Sequence, residues 1–166
     1  MLLYKKVKTL EAIKKVSELA YLLFPIDYGP YVRAEHIQLF LDRYQTVEAI
    51  KEQIEGDYTY YLVYNDVDEL LGYVGLNCLE ACMELSKLYI LVEKRGGGIG
   101  REIMDWVDAK TLEKGYACLE LDVVVENEGA VRFYKRLGFA IKEMFERQFD
   151  TGYSERNYRL IKRLLS

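Results

Sequence analysis

The apolar positions of the chain change period several times, and each change marks an element. Residues 13, 16, 19, 20 and 23 are apolar at helical spacing behind Thr9, which predicts a helix from Thr9 to about Phe24, closed by Pro25, Gly29 and Pro30. Two further helical segments follow, 32–43 and, behind Thr46 as N-cap, 47–55. The runs 58–64 and 69–79 are β-rich and flank Asn65-Asp66-Val67-Asp68, a hairpin turn. A continuous apolar run, Leu88 to Val92, suits a strand buried on both faces, and 84–92 is predicted as the third antiparallel neighbour. From Ile99 the period becomes helical again, at 99, 103, 106 and 107, and Gly115 ends that helix. Leu119, Leu121 and Val123 alternate with Glu120 and Asp122 in a strand over 118–125. The helix linking it to 84–92 makes a right-handed crossover, so these two strands are expected to be parallel. Asn127 caps a helix closed by Gly138, and 139–149 and 153–164 form a closing hairpin around Asp150-Thr151-Gly152. With a short strand at 2–7, the order is β-α-α-α-β-β-β-α-β-α-β-β. It describes one α+β domain over 1–166 with a mostly antiparallel twisted sheet of about seven strands and flanking helices.

Composition narrows the setting. The chain has 166 residues, 51% of them hydrophobic, and only two prolines, as a single compact domain requires. A net charge of −4 argues against nonspecific nucleic-acid binding and mildly favours a cationic substrate. Cys78, Cys82 and Cys118 lack paired metal spacing, so no metal site is expected, and they read as buried reduced thiols of a cytoplasmic protein. The apolar stretch Leu19 to Ile26 is too short to span a bilayer, and Met1 to Lys6 is no signal peptide. The lone His36, on a helix, reads as a packing or surface residue rather than a base.

The chemistry concentrates where strand 84–92 gives way to the helix from Ile99. Four of the twelve glycines lie there, at 96, 97, 98 and 100, and the helix starts without a Ser, Thr, Asp or Asn cap. Its first N–H groups therefore need an acceptor from elsewhere. The glycines remove the Cβ atoms that would hold an anion away, the helix dipole favours negative charge, and Lys94, Arg95 and Arg101 add full positive charges. The loop reads as a phosphate site. A Walker loop would need Gly-Lys followed by Ser or Thr, whereas Arg101-Glu102 follow Gly100. A dinucleotide fingerprint drawn from Gly98-Ile99-Gly100 has Glu120 and Asp122 at the distance of a ribose-binding acid, but places bulky Ile103 at its third small position.

Arg95-Gly96-Gly97-Gly98-Ile99-Gly100 fits the Gln/Arg-x-x-Gly-x-Gly/Ala loop of the GCN5-related N-acetyltransferase (GNAT) superfamily, and Asn127 through Phe139 resembles that family's second motif at the spacing it requires. The resemblance is firm over about 85–140 and extends elsewhere by the order of elements. It implies acetyl-CoA as co-substrate. Its pyrophosphate would rest on Arg95, Gly96, Gly97, Gly98, Ile99, Gly100 and Arg101, its pantetheine arm on the backbone of Ile90, Leu91 and Val92 in a gap between strands four and five, and Asn127 and Tyr134 would complete the site. An N–H near Leu91 would be the oxyanion donor and Tyr134 the general acid toward the leaving thiolate. Glu84, eleven positions before Arg95, is the favoured base, with Asp122 and Glu120 as second candidates for base or cation binding; other members use a water chain.

The resemblance further implies direct transfer of acetyl to a primary amine in a ternary complex. Glu84-Leu85-Ser86-Lys87-Leu88-Tyr89-Ile90 looks like the corresponding segment of bacterial polyamine acetyltransferases. Peptide N-termini, amino acids and aminoglycosides are alternative acceptors, and a CoA-binding sensor without turnover is an alternative class. Family members often dimerise, so a homodimer is possible; no nucleic-acid or membrane partner is expected.

Overall fold

A computed structural model of the protein describes residues 1–149 and 151–165. Its seven strands are β1 (Leu3–Lys6), β2 (Tyr58–Tyr64), β3 (Leu70–Cys78), β4 (Met83–Ile90), β5 (Cys118–Val124), β6 (Ala140–Gln148) and β7 (Ser154–Arg163). They form one sheet in the order β1-β2-β3-β4-β5-β7-β6, antiparallel except for β4 against β5. Of the expected turn Asp150-Thr151-Gly152, Asp150 lies outside the described residues.

Three helices, α1 (Leu10–Tyr28), α2 (Ala34–Tyr44) and α3 (Val47–Glu55), pack on one face. Their apolar stripe closes a core with Tyr60, Leu62, Tyr73 and Tyr89 of the sheet. Helices α4 (Ile99–Glu113) and α5 (Glu128–Arg136) cover the other face over Val74, Leu85, Leu119 and Leu121. The α4 stripe does its expected work: Ile103, Met104 and Val107 are buried, and Trp106 stacks on Tyr4 of β1 with ring centroids 4.0 Å apart.

The caps follow local chemistry. Thr9 and Thr46 accept from Ala12 N and Ala49 N, and Asn127 Oδ1 accepts from Ala130 N at 3.2 Å. Gly115, at φ +89°, turns the chain out of α4.

Three expectations are corrected. First, α1 continues through Pro25 to Tyr28. A proline removes its own donor bond and crowds the carbonyl of Tyr21, but burial of Phe24 together with a 2.8 Å Tyr28–Tyr89 hydroxyl bond holds the last turn in place. Second, the central strand ends at Ile90, and Val92–Lys94 form a single 3-10 turn. The apolar run ends before the turn in structural terms, since Val92 is exposed. Third, Cys82 and Cys118 are joined in a disulfide with Cα atoms 4.9 Å apart, leaving Cys78 as the free thiol. Their positions 36 apart gave no hint of pairing, because only the parallel alignment of β4 and β5 brings them together. Among the described residues no helix is long and apolar enough to cross a membrane.

Candidate active site

Strands β4 and β5 pair over only two positions, Met83 with Leu119 and Glu84 with Glu120, and then diverge. Beyond that point β4 keeps its partner β3 on one side and has none on the other. Leu91 N donates to Leu71 O at 2.8 Å. Backbone groups alternate in direction along an antiparallel ladder, so the N–H and C=O of Ile90 face away from β3, into the gap. The Ile90 carbonyl is taken there by Arg95 Nε at 2.9 Å, while the Ile90 N–H faces the same way with no acceptor among the described residues. Of the three residues expected to line the pantetheine arm, Ile90 thus offers a free donor. The Leu91 N–H, expected as the oxyanion donor, is committed to Leu71, and the Val92 carbonyl accepts from Arg95 N at 3.3 Å.

The glycine loop has the form of an anion cradle. Gly96, Gly97 and Gly98 all have positive φ, at +94°, +64° and +82°, and a Cβ on any of them would meet nothing within 4 Å. Space at this loop is therefore left for a ligand, not filled by protein. The α4 N-cap is Gly98, with no side-chain cap. Among the described residues the amides of Gly97, Gly98, Gly100 and Arg101 have no protein acceptor, whereas Ile99 N bonds Gly96 O and Glu102 N bonds Gly98 O. Unpaired amides beside open space at a helix N-terminus form the kind of place where an anion binds.

Two residues of the loop have other duties. A Cβ on Gly100 would lie 3.2 Å from Phe133 Cζ, so this glycine lets α5 approach α4. The Arg95 guanidinium, besides its bond to Ile90 O, pairs with Asp27 of α1 at 2.8 Å. It braces the loop against α1 and β4, and Arg101 is the exposed cation at the cradle.

On the α1–α3 face the gap opens into a cavity of about 290 Å³. A bulge in β4 shapes it. Gly75 pairs with Lys87 but Leu76 pairs with Leu85, leaving Ser86 as the extra residue. The bulge shifts the alternation, so that Glu84, Ser86, Lys87 and Tyr89 all line one cavity while Leu88 and Ile90 pack on the opposite face. Glu84 accepts from Asn77 Nδ2 at 3.2 Å and has no cation within 4 Å among the described residues.

The second base candidates differ. Asp122 is held by Arg147 at 2.7 Å and Arg159 at 3.1 Å, and Glu120 by Lys142 at 2.8 Å. Neither is a free base. Tyr134 sits on α5 between Phe133 and Phe139. Burial, with a smaller effect from Tyr28, holds its phenol well above the ordinary value, so it stays protonated, and its hydroxyl has no partner among the described residues.

Sequence reasoning missed Lys87, His36 and Arg147 as cavity residues. A β-bulge has no reliable sequence signature, and Arg147 reaches the site only through the β7 crossover.

A family model described as the acetyltransferase (GNAT) family matches residues 18–139. An uncharacterised N-acetyltransferase of Mycobacterium tuberculosis is 30% identical over 144 residues, covering 86% of this chain and 91% of that one. Another, from Methanocaldococcus jannaschii, is 39% identical over 81 residues, 45% of this chain but only 36% of its own length. The PaiA N-acetyltransferase of Thermoplasma acidophilum, solved with coenzyme A, superposes with TM-score 0.76 at 19% identity over 98% of this chain and 99% of that one. The spermidine N-acetyltransferase of Vibrio cholerae, solved with CoA and spermine, gives 0.74 at 18% over 98% and 95%. The matched family model and the full-length similarity to a named N-acetyltransferase agree with the glycine cradle and the splayed parallel pair: the chain belongs to the GNAT family of acetyltransferases, which use acetyl-CoA as acetyl donor.

Proposed function

We propose that the protein transfers acetyl from acetyl-CoA to a primary amine seated in the cavity beside β4, by direct attack in a ternary complex. Two features of one strand support this reading. β4 runs into the loop whose Gly97, Gly98, Gly100 and Arg101 amides have no protein acceptor among the described residues, and the same strand carries Glu84, with no cation within 4 Å among the described residues, into the cavity. Acetyl-CoA supplies an activated thioester when bound. An amine attacks only as the free base, and Glu84 is placed to take the ammonium proton directly or through one water. Tyr134, kept protonated by its apolar setting, is the hydrogen-bond donor for the departing sulfur. Asn127 shapes this end by capping α5, and Arg95 acts by holding the loop rather than by touching phosphate.

Replacing Tyr134 by Phe tests the assignment. Turnover of acetyl-CoA with a reactive amine is expected to fall by about 10²-fold or more, with CoA affinity changed less than about threefold. An unchanged kcat would remove Tyr134 from the role. Glu84→Gln is expected to move the rise of kcat/KM to higher pH, since the amine must then arrive already deprotonated.

A further inference from the structure

The cavity's charges do not match a polycation. Of its lining acids, Asp122 is held by two arginines. Glu155 lies 3.8 Å from Arg147 and accepts from Asn157 at 3.2 Å. Only Glu84 is uncompensated, enough for one ammonium and no more.

Two other lining groups are incompletely matched: Lys87 lacks a counter-charge and His36 lacks hydrogen-bond partners among the described residues. Lys87 reaches into the cavity with Nζ 2.7 Å from the neutral Ser86 Oγ and 5.8 Å from the Phe40 ring, and among the described residues no carboxylate lies within 4 Å of it. His36 is 8% exposed, wedged against Tyr153 at 3.9 Å and Phe149 at 4.3 Å, and both its ring nitrogens are buried with no partner among the described residues. The remaining lining includes Phe24, Tyr44 and Phe149, an apolar wall.

Resting on the acetyltransferase reading above, we propose that the acceptor is an amine that also carries a carboxylate, an amino acid with an apolar side chain, whose anion sits against Lys87 while its amine faces Glu84. The carboxylate supplies the counter-charge that Lys87 lacks and the ammonium the one that Glu84 lacks. The aromatic wall takes the side chain. A polyamine would place a second ammonium against Lys87.

The test compares matched acceptors: phenylalanine, leucine and alanine, each beside its amide and its decarboxylated amine, with spermidine in the same panel. The carboxylated member of each set is expected to lead in kcat/KM by on the order of tenfold or more. Lys87→Met should collapse that ratio toward one with CoA affinity retained, and Lys87→Arg should restore most of it. Preference for spermidine or the decarboxylated amines, undiminished in Lys87→Met, would overturn the inference and leave the acetyltransferase reading standing. CoA binding without acetylation of any amine would overturn both. Phosphoethanolamine as an added arm separates a carboxylate from a phosphate; its preference over every carboxylated amine would also count against the proposal.

Discussion

Lys87 is where sequence and structure diverge most in consequence. Strict alternation over 84–92 would put Glu84 and Lys87 on opposite faces of the strand; the bulge at Ser86 turns both into one cavity. Burial lowers the Lys87 ammonium from 10.5 to about 8, Glu84 opposing the shift and Arg147 adding to it. The folded protein then binds this proton less tightly than the unfolded chain. The cost is fully present below pH 8, declines as pH rises through the window from 8 to 10.5, and is gone above it. Lys87→Met is therefore expected to raise the melting temperature at pH 7 and to lose that gain as the pH approaches 10.5, in thermal melts across the range. A gain independent of pH would mean the ammonium is not penalised. Tyr134 and Asn127, by contrast, were legible as residues, because both lie in one contiguous segment where spacing along the chain is spacing along a helix. His36 was legible only as a packing residue, since its missing hydrogen-bond partners are a property of the fold.

At the scale of elements, the glycine loop was the most legible part. Three left-handed glycines followed by an uncapped helix announce themselves in sequence, and the structure adds which glycine does what. Gly97→Ala puts a Cβ at φ +64° into open space, so its folding cost is about 1–2 kcal/mol, from backbone strain alone. It is also expected to weaken CoA binding by about tenfold or more in Kd by calorimetry, because the methyl group enters the cradle. Gly100→Ala should act on stability first, because its methyl group meets Phe133. The Cys82–Cys118 bridge was illegible for the opposite reason, since it depends on the register of two strands far apart in sequence. It pins the two-residue parallel stretch from which β4 and β5 separate. Reducing it, or replacing both cysteines by serine, is expected to cost about 2–4 kcal/mol and lower the melting temperature by roughly 5–15 °C. Melts that are identical with and without reductant would show the thiols unpaired in solution.

For the whole molecule, the strand order and the parallel pair followed from chain order and the handedness of one crossover, rules that leave little freedom. The length of the parallel pairing did not follow, and the site depends on it. A β4–β5 ladder running to Ile90 would close the gap and satisfy the Ile90 amide. Because the pairing stops at Glu84 and Glu120, the cavity lies beside a strand whose far end leads to the glycine loop. The central claim is that this opening brings a thioester and an amine together. The most direct test follows thiol release from acetyl-CoA with and without added amine, with the product identified by mass. The account predicts slow release alone, release that rises and saturates with amine, and one acetyl group on the amine nitrogen. Tight CoA binding with release that no amine accelerates would contradict it.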